Sequence, residues 1–328
     1  MKRLIAMILC ACMMLGLVGC GGGDTAADNK VVIYSSSEEF RNEYYLSRLK
    51  EQFPDYDITI QYIATGNSAS KLKSEGAETE ADIVMGLESG YLISLKDMLE
   101  DLSTYDTSRY LPEMVDPNHV YMTVDRESNA IIINPKLLQE KQLPVPKSYQ
   151  DLLNPQYKGL ISMPNPKTSS TGYAFLLSLV NTMGQEEALS YFDKLSENIL
   201  QFTTSGSGPV NALVQGEAAI GLGMTFQAVQ EINKGAELEI LYFEEGAPYS
   251  TYGVSVVKGK MQRQAVKEVF GFIVDTLILE DKEKFVPEKI YTEQDTSIEN
   301  YPKDIQYADM TGIDDLNKKE ELLSLWQY

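Results

Sequence analysis

The sequence predicts an α/β protein of two lobes, on three observations. Buried strand-like runs alternate with segments of helical periodicity along nearly the whole chain. Four of those strands run straight into clusters of Ser, Thr, Gly and Asn. About 300 residues follow an N-terminal leader-like segment, enough for two lobes of ordinary domain size.

The leader comes first. MKRLIAMILCACMMLGLVGC opens on Lys2 and Arg3, continues as an apolar run from Leu4 to Val18 and ends on small residues. That is the pattern of a secretory signal, and the run is short for a membrane span. Leu17-Val18-Gly19-Cys20 resembles a bacterial lipobox, which implies cleavage before Cys20 and a lipid on it. All three cysteines, Cys10, Cys12 and Cys20, lie in this segment, so a disulfide framework, cysteine catalysis and thiolate metal sites are excluded from the remainder. Residues 21–28, GGGDTAAD, read as a flexible tether. The net charge is −20, and removing Lys2 and Arg3 takes −20 to −22. Such acidity argues against nucleic acid and against polybasic membrane contact.

VVIYSSS, from Val31, is a short buried strand ending in hydroxyls, and EEFRNEYYLSRLKEQF repeats apolar residues near helical spacing. YDITIQY alternates as a strand through Ile58, Ile60 and Tyr62, and a helix is expected to start at Asn67 or Ser68. ADIVMGLESG is the next buried strand. Three β-α units in this order predict a parallel sheet with helices on its faces. NAIIINPK and KGLISMPNP are further strands, YAFLLSLVNTMG and EEALSYFDKLSENI are helices, and Pro209 and Gly216 bracket a short one. AAIGLGM and ELEILYF are strands around a helix from Thr225 to Asn233; YGVSVVKG is a strand before a long amphipathic helix, RQAVKEVFGFIVDTLILE. The polar clusters at strand ends are Ser35 to Ser37, Thr65 to Ser70, Gly86 to Gly90 and Asn165 to Gly172. Ligands in open parallel sheets collect outside the carboxyl ends of strands, so four such clusters predict two sheets facing one cleft.

PKSYQDLLNPQYKGLISMPNPKTSSTGYAF, from Pro146, resembles the signature of extracellular solute-binding proteins of ABC importers. The match is to the type 2 periplasmic-binding group that takes iron(III), phosphonates, thiamine, polyamines or sugar phosphates. It is carried by Pro146, Tyr149, Asp151, Leu152, Leu153, Pro155, Tyr157, Lys158 and Gly159, then Ser169, Thr171 and Gly172. VVIYSSS, ADIVMGLESG, NAIIINPK, LVQGEAAIGLGM and GVSVVKG extend it over nearly the whole mature chain. The resemblance implies two α/β lobes joined by hinge strands, closing on a solute, with an ABC permease as partner and no cofactor. Lobe 1 is expected at 29–125 plus about 245–257 and lobe 2 at 126–244. Residues 258–328 are expected to be helical and to pack on either lobe, in a monomer.

The solute follows from the loops. In PNPKTSSTGYAF, from Pro164, hydroxyls and a glycine precede a helix, which suits an anion at the helix N-terminus or an ordinary N-cap. Ser169, Ser170, Thr171 and Gly172 would serve a phosphoryl or phosphonyl group from lobe 2, with Ser36, Ser37, Asn67 and Ser68 facing them from lobe 1. Ser205, at a second helix start, and Thr225 are further candidates. Glu88 could pair with a cation at the other end of the solute, Tyr249 or Tyr252 could stack on one, and Arg126 near the hinge could hold an anion. Iron is disfavoured: Thr225-Phe226-Gln227 stands where the iron-type tyrosine pair is expected, and Tyr44-Tyr45 lies within a helix. The single histidine, His119, leaves no serine triad, and there is neither a G-x-S-x-G elbow nor an H-E-x-x-H motif. Polyamine or thiamine binding and a ligand-sensing surface role remain as alternatives on the same fold.

Overall fold

The computed structural model describes residues 29–328. The lipobox, Cys20 and the tether lie outside the described residues. The first three β-α units are β1 (Lys30–Ser35), α1 (Glu39–Gln52), β2 (Asp57–Tyr62), α2 (Thr65–Glu75), β3 (Ile83–Glu88) and α3 (Ser89–Ser94). Strand β1 lies between β2 and β3 and is parallel to both, with Ile33 opposite Ile60 and Ile83. Its side chains are buried on both faces, as apolar runs in parallel sheets are. Val31, Ile33 and Ile83 pack one way against α1; Val32, Tyr34 and Val84 pack the other way against Leu72 and Leu92.

The second group contains β4 (Met122–Ile133), α4 (Pro135–Glu140), β5 (Ile161–Pro164), α5 (Ser170–Met183), α6 (Gln185–Ser196) and β6 (Ile199–Thr203). It continues through α7 (Gly208–Val214), β7 (Ile220–Met224), α8 (Thr225–Asn233) and β8 (Glu239–Leu241). Then come β9 (Tyr249–Val256), α9 (Gln264–Phe272), a widened turn at 273–277, α10 (Ile278–Lys284) and α11 (Leu316–Leu325). The strand order is β2-β1-β3-β9-β4-β7-β5-β6, with β8 also on β4.

Strand β4 joins the two groups. Met122 to Ser128 pair with β9, whereas Asn129 to Ile133 pair with β7 and β8. Both β9 and β4 run antiparallel to their neighbours in this order, so the sheet is mixed rather than purely parallel. The boundary expected at Asp125/Arg126 falls inside β4. All twelve residues of β4 are buried, including the run Asp125-Arg126-Glu127. The C-terminal region divides: Val266, Val269, Phe270 and Ile273 pack on β1 and β3, while Leu322 and Trp326 pack with Phe192 and Tyr173 beside β5 and β7.

Two local expectations shift. Helix α2 starts at Thr65, not at Asn67 or Ser68, because the chain turns as soon as β2 ends and Ala64 supplies the extended residue before the helix. ELEILYF keeps only Glu239–Leu241 as strand, since β8 pairs with three residues of β4 alone.

Candidate functional site

The ends of β1, β2, β3, β5, β6 and β7 open on one cleft of about 250 Å³. Ser36, Ser37, Ala64, Thr65 and Gly86 line it from one group of strands, Thr168 to Thr171, Thr204 to Ser207 and Met224 from the other, and Asp125, Glu127 and Tyr252 from the joining strands β4 and β9.

Helices α1, α2 and α5 all begin at this cleft, after Glu38, Ala64 and Ser169, and none has a side-chain cap on its first turn. Ser169 occupies the N-cap position in extended backbone, yet its side chain makes no capping bond. Elsewhere two helices are capped, Asn134 accepting from Leu137 N at 2.9 Å and Asp315 from Asn317 N at 2.9 Å and Lys318 N at 3.1 Å, while those starting at Gln185, Thr225 and Gln264 are not; what sets α1, α2 and α5 apart is that they converge on one cleft. First-turn amides have no partner within their helix and carry the positive end of its dipole, so three such ends make a concentrated set of donors.

The hydroxyls are fixed around them. Ser36 Oγ donates to Ile63 O at 2.8 Å, and the Ser36 amide donates to Met85 O at 2.9 Å. Ser170 Oγ lies 3.1 Å from Tyr252 Oη, a contact from α5 to β9. Burial pushes the Tyr252 phenol well up, so it stays protonated and able to donate. Ser205 Oγ is 3.0 Å from Ser207 Oγ. Two glycines give these groups room. Gly86 has φ +70°, and a Cβ there would lie 2.5 Å from Ser37 Oγ; a Cβ on Gly206 would lie 2.5 Å from Thr171 Oγ1.

Beneath the hydroxyls sits a charged floor. Arg41, almost wholly buried, donates Nη1 to Glu127 Oε1 at 2.7 Å, Nε and Nη2 to Asp281 at 3.0 and 2.9 Å, and Nη2 also to Asp125. Lys282 donates to the second oxygen of Asp125, and Tyr45 to Asp281. Burial opposes the charge on Arg41, but Asp281, Tyr45 and Glu127 hold its pKa well above the usual guanidinium value. Burial, with Glu38 adding repulsion, pushes Glu127 up to about 8 against the pull of Arg41.

Of the residues singled out in the sequence, Ser36, Ser37, Ser169, Ser170, Thr171, Ser205 and Tyr252 line the cleft. The others lie elsewhere. Asn67 and Ser68 are inside the first turn of α2, Ser68 wholly buried. Gly172 packs on its own preceding loop, where a Cβ would lie 2.5 Å from Pro164 O. Glu88 forms a buried ion pair with Lys319 of α11 at 2.9 Å. Thr225 Oγ1 lies 2.9 Å from Ser128 Oγ and 3.1 Å from Tyr242 Oη. Tyr249 packs on Tyr307, ring to ring at 5.2 Å, and Arg126 lies over the Tyr307 ring at 4.0 Å. Glu38, Arg41, Asp125 and Glu127 were not singled out. The available signal was three charges inside the apolar alternation of YMTVDRESNAIII, which a solvated turn would not need.

Residues 81–285 match the model of a family described as bacterial extracellular solute-binding proteins. The chain belongs to that family. Such proteins bind a small solute outside the cytoplasm for ABC import and are not enzymes, and this member shares that role. A Haemophilus influenzae protein of uncharacterized function is 26% identical over 246 residues, 72% of this chain and 70% of its own length. A Salmonella typhimurium protein provisionally named a 2-aminoethylphosphonate-binding periplasmic protein is 23% identical over 272 residues, 80% of this chain and 78% of its own. Among solved structures, the periplasmic binding protein AfuA of Actinobacillus pleuropneumoniae, with fructose-6-phosphate bound, superposes with a TM-score of 0.80 at 22% identity. That match covers 90% of this chain and 97% of AfuA, and it establishes the two-lobed type 2 periplasmic-binding fold. No helix among the described residues is long and apolar enough to cross a membrane.

Proposed function

We propose that this solute-binding protein, anchored by lipid on Cys20, captures a small solute carrying a phosphoryl or phosphonyl group and delivers it to its permease. Ser36, Ser37, Ser169, Ser170, Thr171, Ser205 and Tyr252 are its contacts. The observation that carries the reading is the convergence of α1, α2 and α5 on one cleft with first turns that no side chain caps. A tetrahedral oxyanion takes up several amide and hydroxyl donors at once, and the positive ends of the helices favour its negative charge, a gain that a neutral solute lacks. The phosphonate named for the Salmonella relative and the sugar phosphate bound to AfuA belong to this chemical class.

A thermal-shift screen of the protein tests it, against phosphate, sugar phosphates, 2-aminoethylphosphonate, thiamine, polyamines and ferric citrate. A ligand at a hundred times its Kd adds about 2.7 kcal/mol of stability. The expected result is a shift with a phosphoryl or phosphonyl compound that Thr171→Ala and Ser170→Ala diminish. A shift with iron, thiamine or a polyamine alone would overturn the reading.

A further inference from the structure

The cleft floor has the opposite polarity to its walls, and its carboxylates are not equally satisfied. Both oxygens of Asp125 are taken, by Arg41 and Lys282, and Asp281 is taken by Arg41 and Tyr45. Glu127 differs. It is only 7% exposed, its Oε1 accepts from Arg41, and among the described residues its Oε2 has no hydrogen-bond partner although the side chain lines the cleft. Glu38, at the mouth of the same cleft, makes a 3.3 Å contact with Arg41 Nη1 and has a side chain 31% exposed.

Glu127 Oε2 opens on the cleft, where a donor brought by a ligand completes its hydrogen bonding. A fully ionised oxyanion brings none, and its negative charge would lie beside Glu38 and Asp125. We propose that the solute is zwitterionic, its phosphoryl group held by the amides and hydroxyls and its ammonium donating to Glu127, with Glu38 as the outer carboxylate. This rests on the phosphoryl reading above and adds the second pole of the solute. It separates short aminoalkyl phosphonates or phosphates from sugar phosphates, which lack the cation.

The charged and titratable groups facing Glu127 are Glu38 and Arg41 beside α1, Asp125 on its own strand, Tyr252 on β9, and Asp281 and Lys282 on α10. Because Glu127 holds its proton up to about pH 8, an arriving ammonium displaces that proton, and binding near neutral pH releases it.

Calorimetric titration of the full chain at pH 7 compares 2-aminoethylphosphonate with ethylphosphonate, which lacks only the amine, in two buffers of different ionisation enthalpy. The zwitterion is expected to bind at least about tenfold more tightly, with proton release. Glu127→Gln is expected to bring the ratio of the two affinities to about one and abolish the release. Glu38→Gln lowers the ratio by a smaller factor and stands in where the first variant does not fold. Equal affinities in the wild type, or a preference and proton release that survive Glu127→Gln, overturn the ammonium site and leave the phosphoryl reading intact. Failure of both ligands to bind overturns both readings.

Discussion

The carboxylates on the two sides of β4 are in different states. On the face away from the cleft, Glu288 is closed off: its Oε1 accepts from Ser128 N at 2.9 Å, Ser128 Oγ at 2.7 Å and Tyr301 Oη at 2.7 Å, and its Oε2 accepts from Tyr307 Oη at 3.0 Å. On the cleft face, Glu127 has Arg41 and, among the described residues, one spare oxygen. Both carboxylates are more than nine-tenths buried. Burial therefore does not separate a structural carboxylate from one that serves a ligand, whereas hydrogen-bond saturation does. Glu288 fastens the chain after α10 to the joining strand; Glu127 keeps an acceptor for something that arrives.

The sharpest way to break this contrast is to remove the cation shared by the cleft face. Arg41→Met leaves Asp125, Glu127 and Asp281 without their common partner, and a loss of about 3–5 kcal/mol in urea unfolding is expected. A loss below about 1 kcal/mol would show that the floor does not depend on it. Next, Glu288→Gln should cost about 1.5–3 kcal/mol, since a charged acceptor of four bonds is lost, whereas Glu127→Gln should cost less than about 1 kcal/mol. Equal losses for the two would erase the distinction.

A different handle on the same contrast is pH. Glu127 titrates at about 8 in the folded chain, above the 4.5 of an ordinary glutamate, so between those values the folded state holds the extra proton. That contribution to stability is fully present below about pH 4.5 and is lost as the pH rises towards 8. The difference in unfolding free energy, wild type minus Glu127→Gln, should therefore fall over that interval. A difference that is flat or rising would contradict the shift.

The β-α rhythm of the first ninety or so residues was legible because apolar runs and helical periodicity are local signals, and Thr225–Asn233 coincides with the expected helix. The hydroxyl clusters at strand ends were legible for the same reason, and Ser36, Ser170 and Thr171 do line the cleft. Residues whose position depends on distant partners were not. Asp125 and Glu127 sit in a strand whose charges are tolerable only because Arg41, more than eighty positions earlier, lies beneath them. Glu88 stands at a strand end as a binding residue would, but Lys319, 231 positions away, takes its charge. Tyr249 and Tyr252 are three apart on one strand and therefore point to opposite faces, one towards Tyr307 and one towards Ser170. The division of the C-terminal helices likewise depends on which core has room for Phe270 and which for Trp326.

The most direct test of the central claim is a crystal structure of the protein with 2-aminoethylphosphonate bound. The phosphonyl oxygens should lie within about 3 Å of the amides and hydroxyls at Ser170 and Thr171, with the ammonium on Glu127. A ligand with its phosphonyl group on the Arg41 side of the floor, or one seated outside this cleft, would contradict the account.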